Sequence, residues 1–226
     1  MKSAKGVGKG SLNGAQPVAG GRLTRQGDQL GGIATLDIQP LTIERFADLA
    51  DLFNEGGDPK WCWCQYFRKQ GLDWSNSTTA KNRASLESLA ERPDLAPGLV
   101  GYRDGRAVGW VSLAPREDYG RLANAKVLAR VDDTPVWSIV CFVVSTKARG
   151  QGVASALLEG AIAYAREHGA TMLEAYPVAA TRGRISPASA FHGVQSMYEK
   201  AGFSVVAKRQ WNKTSPVRPI MRLTLT

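Results

Sequence analysis

Arg149, Gly150, Gln151, Gly152, Val153 and Ala154 stand where a chain could grip an anion. The apolar run Val136 to Val144 precedes them, and an amphipathic stretch comes after. The first turn of a helix carries backbone N–H groups with no partner inside the helix, and the helix dipole adds positive potential there. Glycine removes the side chain that would hold a phosphate away from the backbone. With Lys147 and Arg149 at the rim, the segment reads as a cradle for a diphosphate. An ordinary strand–helix connection is the alternative that the glycines alone leave open. The turn lacks the Gly-Lys-Ser/Thr ending of a nucleoside triphosphate loop. It carries only part of a Gly-x-Gly-x-x-Gly dinucleotide pattern, and carries it late in the chain.

A second cluster is Trp61, Cys62, Trp63, Cys64, Gln65, Tyr66 and Phe67, which crowds aromatic rings and thiols into one short segment. A hydrophobic cluster beneath a loop is one reading of it. No metal is expected, because Cys-x-Cys offers two ligands where structural zinc takes four. A redox switch is another reading, although a single Cys-x-Cys has little specificity for one.

These residues need a frame. Alternation predicts strands over 35–41, 99–103, 106–113, 172–176, 203–209 and 220–225, and the run at 136–144 suits a central strand covered on both faces. Asp104-Gly105 suits a tight hairpin turn. Helical spacing of apolar residues predicts helices over 42–55, 79–91, 150–167 and 192–200, with a loop over 178–190. The order is that of an α/β chain of the α+β type, with a mixed central β-sheet flanked by helices on both faces.

Residues 1–32 hold nine of the 24 glycines and almost no large apolar side chain. Such a segment buries too little surface to offset its ordering entropy, so a disordered basic tail is expected, with the domain running over 33–226. The formal net charge of +9 suits a phosphate-bearing ligand; nucleic acid or a merely solvated basic face are the other readings. No apolar run is long enough to span a bilayer and no signal peptide is evident, so a cytoplasmic protein with no membrane partner is expected. Three cysteines fit that compartment.

The motifs carry a resemblance. Arg149-Gly150-Gln151-Gly152-Val153-Ala154 is similar to the Arg/Gln-x-x-Gly-x-Gly/Ala motif of the GNAT acetyltransferase superfamily. Met197-Tyr198-Glu199-Lys200-Ala201-Gly202-Phe203 resembles that superfamily's Leu-Tyr-Glu-Lys-x-Gly-Phe signature. The resemblance implies a GNAT fold that binds acetyl-CoA and passes its acetyl group to a primary amine on a small molecule or a protein. The Arg149–Ala154 turn would then hold the pyrophosphate. The backbone of Phe142, Val143 and Val144 would pair with the pantetheine arm, and the Phe142 amide would polarise the thioester carbonyl. Tyr198 would be the acid for the departing thiolate. Trp61, Trp63, Tyr66 or Phe67 would line the acceptor pocket. A homodimer is compatible with the resemblance, and nucleic acid is not its usual partner.

Two departures matter. Ser138 stands where some members carry a glutamate base, and Phe191 where many carry an asparagine. Glu174 on the neighbouring strand is the first substitute base, with Asp132, Asp133, Glu117, Asp118 and His192 behind it. The missing carboxylate also keeps open a different class of function, a non-catalytic acyl-CoA-binding or regulatory protein on the same fold.

Overall fold

Asp104 and Gly105 take φ values of 51° and 74°, the left-handed pair that a two-residue hairpin turn requires. They join β2 (Gly98–Arg103) to β3 (Arg106–Pro115). The computed structural model describes residues 36–179, 191–215 and 217–225. The expected tail at 1–32, the start of the domain at 33 and most of the expected loop at 178–190 lie outside them.

The remaining strands are β1 (Asp37–Pro40), β4 (Trp137–Val144), β5 (Met172–Ala175), β6 (Ser204–Arg209) and β7 (Arg218–Thr224). They form one mixed sheet in the order β1-β2-β3-β4-β5-β7-β6. Of these strand pairs, only β4–β5 is parallel. One face is covered by α6 (Val153–Glu167). Its Leu157 and Leu158 pack with Leu99, Val111 and Leu113, each buried leucine contributing about 1.5–3 kcal/mol. Gly109 lets this helix approach: a Cβ there would lie 2.6 Å from Val153 Cγ1. The other face is covered by α1 (Phe46–Asn54) and α4 (Thr79–Ala90). Leu49, Phe53 and Leu86 meet Val100 and Trp110 there.

Two short helices were not legible from spacing, α2 (Pro59–Cys62) and α3 (Gly71–Ser75), whereas α5 (Gly120–Asn124) is the helical turn that the sequence suggests around Leu122. Elements of one turn show no period. The helix expected from residue 150 begins at Val153, because Gly150 and Gly152 have φ of 74° and 79°. The one expected from 192 is α7 (Gln195–Lys200), delayed by Gly193 at φ 75°. No helix among the described residues is long and apolar enough to cross a membrane.

The sheet opens at its centre. β4 and β5 pair only where Trp137–Ile139 meet Leu173–Ala175. On the β3 side, Ser112 pairs with Cys141 and Leu113 with Ile139, so Val140 is an extra residue. Such a bulge bends the strand and re-aims its far half. Past it, β4 runs on to Val144 with β3 as its only strand neighbour among the described residues. β7 also overshoots β5, so Arg218, Pro219 and Ile220 stand at the same end of the sheet.

Candidate functional site

A cleft of about 1960 Å³ begins at this opening. At one end lies the turn after β4. Thr146–Ala148 make a short 3-10 turn, and Gly152 precedes α6 without a side-chain cap. The first amide bonded back into the helix is that of Ala156, to the Gly152 carbonyl at 3.0 Å. The amides of Val153, Ala154 and Ser155 are therefore left free for a ligand. A Cβ at Gly150 or Gly152 would meet nothing within 4 Å, so the glycines face open space. Phe142, Val143, Val144, Arg149, Gly150, Gly152, Val153 and Ala154 all border the cleft. Gln151 does not; its side chain binds the Lys147 carbonyl at 2.9 Å and Arg103.

Midway along, the Phe142 amide points away from β3 and donates to the Phe191 carbonyl at 2.6 Å. The Tyr198 hydroxyl donates to the next carbonyl, that of His192, at 3.0 Å. Two successive carbonyls of one turn thus occupy these two donors. Tyr198 is fully buried and does not itself border the cleft; its ring lies 6.4 Å from that of Phe142. Burial pushes its phenol well above the ordinary range, so it keeps its proton.

The far end is an aromatic wall. Successive ring centroids run Trp61 to Trp74 at 4.8 Å, Trp74 to Tyr66 at 5.2 Å and Tyr66 to Phe67 at 5.1 Å. They continue from Phe67 to His192 at 5.5 Å and from His192 to Phe191 at 4.1 Å. Of the residues expected to line an acceptor pocket, Trp61, Tyr66 and Phe67 border the cleft. Trp63 does not, and that expectation is corrected. Positive φ at Trp63 and Cys64 (47° and 53°) reverses the chain after α2 and buries Trp63 against Phe46 and Phe53. The thiols face the cleft without being reactive. Cys62 is pushed up to about 12 by burial. Cys141 is raised by its contact with Cys64 and by burial. Cys64 accepts from Trp110 Nε1 at 3.1 Å.

Glu174 is not a free base, and the sequence expectation is corrected. It is fully buried. Oε1 accepts from Arg116 Nη1 at 2.8 Å and from the Tyr176 hydroxyl at 2.7 Å; Oε2 accepts from Arg222 Nε at 2.8 Å. Its oxygens are spent on holding β5 to β7 and to the segment after β3. Three of the loop acids are also paired: Glu117 with Arg130, Asp118 with Arg68 and Asp132 with Arg222.

His192 takes their place in the cleft. Its buried Nδ1 has no partner. Burial first, and Arg218 second, bring its pKa down to about 3. The unfolded imidazole binds a proton below about pH 6.5, and the folded one does not until about pH 3. Stability should therefore fall as the pH drops through this window, by up to about 1.4 kcal/mol per pH unit from this group. Urea titrations at pH 6 and pH 4 should show a smaller drop for His192→Asn than for the wild type.

Sequence reasoning missed Trp74, Arg121 and Arg218. Arg121 lies over the Tyr66 ring at 4.0 Å and donates to the Tyr66 carbonyl at 2.6 Å. A tryptophan inside a polar loop was the one signal for Trp74. Arg218 had none, since its neighbours are brought together only by the fold.

Residues 60–203 match the model of a family described as the acetyltransferase (GNAT) family. Among curated proteins, no sequence matches the chain. Solved structures resemble it at low identity. An acetyltransferase of the GNAT family from Streptococcus pneumoniae is 16% identical with TM-score 0.50, over 85% of this chain and 100% of that one. An arylalkylamine N-acetyltransferase-like 5b from a mosquito is 12% identical with TM-score 0.51, over 84% and 100%. A variant of an agmatine N-acetyltransferase is 12% identical with TM-score 0.53, over 84% and 99%. At such identities the likeness establishes the fold alone.

Proposed function

The chain belongs to the GNAT acetyltransferase family, and on that premise we propose that it is an acetyl-CoA-dependent N-acetyltransferase acting on a primary amine by direct attack in a ternary complex. One observation carries the reading. The Phe142 amide and the Tyr198 hydroxyl are both held by consecutive carbonyls of the 191–192 turn. Those carbonyls stand in for acyl oxygen and thiolate, the two groups that an acetyl thioester would present.

Bound acetyl-CoA supplies the thioester carbon that the amine attacks; C–N forms, C–S breaks, and one amine proton ends on the released thiol. The chain's residues have five tasks. The free amides of Val153, Ala154 and Ser155, with the open faces of Gly150 and Gly152, suit a diphosphate. The Phe142 N–H, released from Phe191, stabilises developing negative charge on the acyl oxygen. Tyr198, held protonated by burial, donates to sulfur. The guanidinium groups of Arg121 and Arg218 disfavour an ammonium ion, so the acceptor sheds its proton on entry. The unpaired Nδ1 of His192 then receives an amine N–H and orients the lone pair.

Thiol release with acetyl-CoA and a panel of amines tests this directly. Tyr198→Phe should lower kcat about 100-fold while leaving CoA affinity by calorimetry within a few-fold of wild type; unchanged turnover would remove the acid role. The occupied Phe142 amide also favours a second reading, an acyl-CoA-binding regulator. Tight CoA binding without thiol release on any amine would select it.

A further inference from the structure

We propose, resting on the N-acetyltransferase reading, that the acceptor carries a carboxylate beside its amine and that Arg218 receives it. Arg218 opens β7 at the end of the sheet where β4 and β5 separate, and it borders the cleft. Its Nη1 is buried and has no hydrogen-bond partner. Among the described residues no carboxylate pairs with it. The sequence from residue 200 to 226 contains no Asp or Glu. Arg218 is half-buried, and a guanidinium nitrogen buried without a partner beside a cleft points to an anionic ligand.

Arg218 is also unlike the other cation of this wall. Arg121 is already satisfied by the Tyr66 carbonyl and by the Tyr66 and Trp74 rings. The cleft's own carboxylates, Glu55 and Asp58, lie in the segment between α1 and α2. Glu55 is further engaged by Ser145 Oγ at 3.0 Å, beside the glycine turn. The acceptor end is thus cationic and aromatic. Beside Arg218, the orphaned Nδ1 of His192 supplies an acceptor for an amine N–H. Anion site, amine site and aromatic wall together describe an amino acid with a flat apolar side chain. A polycationic acceptor meets repulsion from the same guanidinium groups.

The test uses L-phenylalanine, phenethylamine (the same amine without the carboxylate) and agmatine. Two measurements are made: thiol release, and calorimetric binding to the CoA-saturated protein. L-phenylalanine should exceed phenethylamine about 100-fold in kcat/KM and in affinity, because a site built around a charged hydrogen bond rejects the analogue lacking it. In Arg218→Gln and Arg218→Lys that preference should collapse towards 1 for Gln and stay partial for Lys. Unchanged CoA affinity would show that both variants are folded. Phenethylamine or agmatine equal to or better than L-phenylalanine in wild type would overturn the proposal. So would a preference that survives Arg218→Gln, or no L-phenylalanine binding at all. Failure of the underlying reading looks different: CoA itself would not bind, or would bind without thiol release from any amine.

Discussion

Glu174→Ala should cost about 3–5 kcal/mol of folding stability, because it strands the buried Arg116 guanidinium and takes one of two carboxylates from Arg222. Arg116 and Arg222 are both buried, and each donates to a different oxygen of this carboxylate. Arg116 would keep the Leu122 and Leu128 carbonyls, at 3.1 and 2.6 Å, and Arg222 would keep Asp132 at 2.7 Å. Asp132 still neutralises Arg222, whereas the carbonyls leave the buried charge of Arg116 uncompensated. For a domain of this size the loss corresponds to a Tm lower by about 6–20 °C. Glu174→Gln should fall between, since an amide oxygen can still accept one bond. Differential scanning calorimetry decides the matter. A normal Tm with a displaced pH–rate profile would restore Glu174 as a base and remove it as a brace.

A second large effect is expected at the start of α6. Gly152→Ala should raise the Kd for CoA about 100-fold, equivalent to about 2.7 kcal/mol. The methyl group would meet no protein atom within 4 Å, so it would project into the space where a phosphate approaches the free amides. Its backbone, at φ 79°, would add about 1–2 kcal/mol of strain whether or not ligand is present. Gly169→Ala separates the two effects. Gly169 also has a positive φ, 75°, with open space around its Cβ, but it lies past the other end of the same helix. It should share the stability loss and bind CoA normally. Calorimetric titration of both variants gives the comparison, and wild-type affinity in Gly152→Ala would sink the cradle.

The aromatic wall was harder to read than the glycine turn, for a reason visible in particular residues. The turn and its strand form one continuous stretch, Phe142 to Ala154, so strand, turn and helix are written in adjacent positions. The wall draws Trp61, Tyr66 and Phe67 from one segment, Trp74 from a second, His192 from a third and Arg218 from the last strand. Trp61 and Trp63 have the same composition around them, yet opposite fates. Two left-handed residues after α2 turn Trp63 into the core while Trp61 stays 44% exposed.

By itself, the sequence determined the mixed sheet with helices on both faces, the hairpin at Asp104-Gly105 and the glycine turn that opens α6. Each arises from local periodicity or from a backbone angle that only certain residues adopt. The tertiary structure alone decided that Glu174 is braced by Arg116 and Arg222, that Trp63 is core, and that Arg218 and His192 meet across the opening between β4 and β5. Those outcomes depend on contacts between residues dozens of positions apart. Register and strand divergence set such contacts, and no local pattern encodes them.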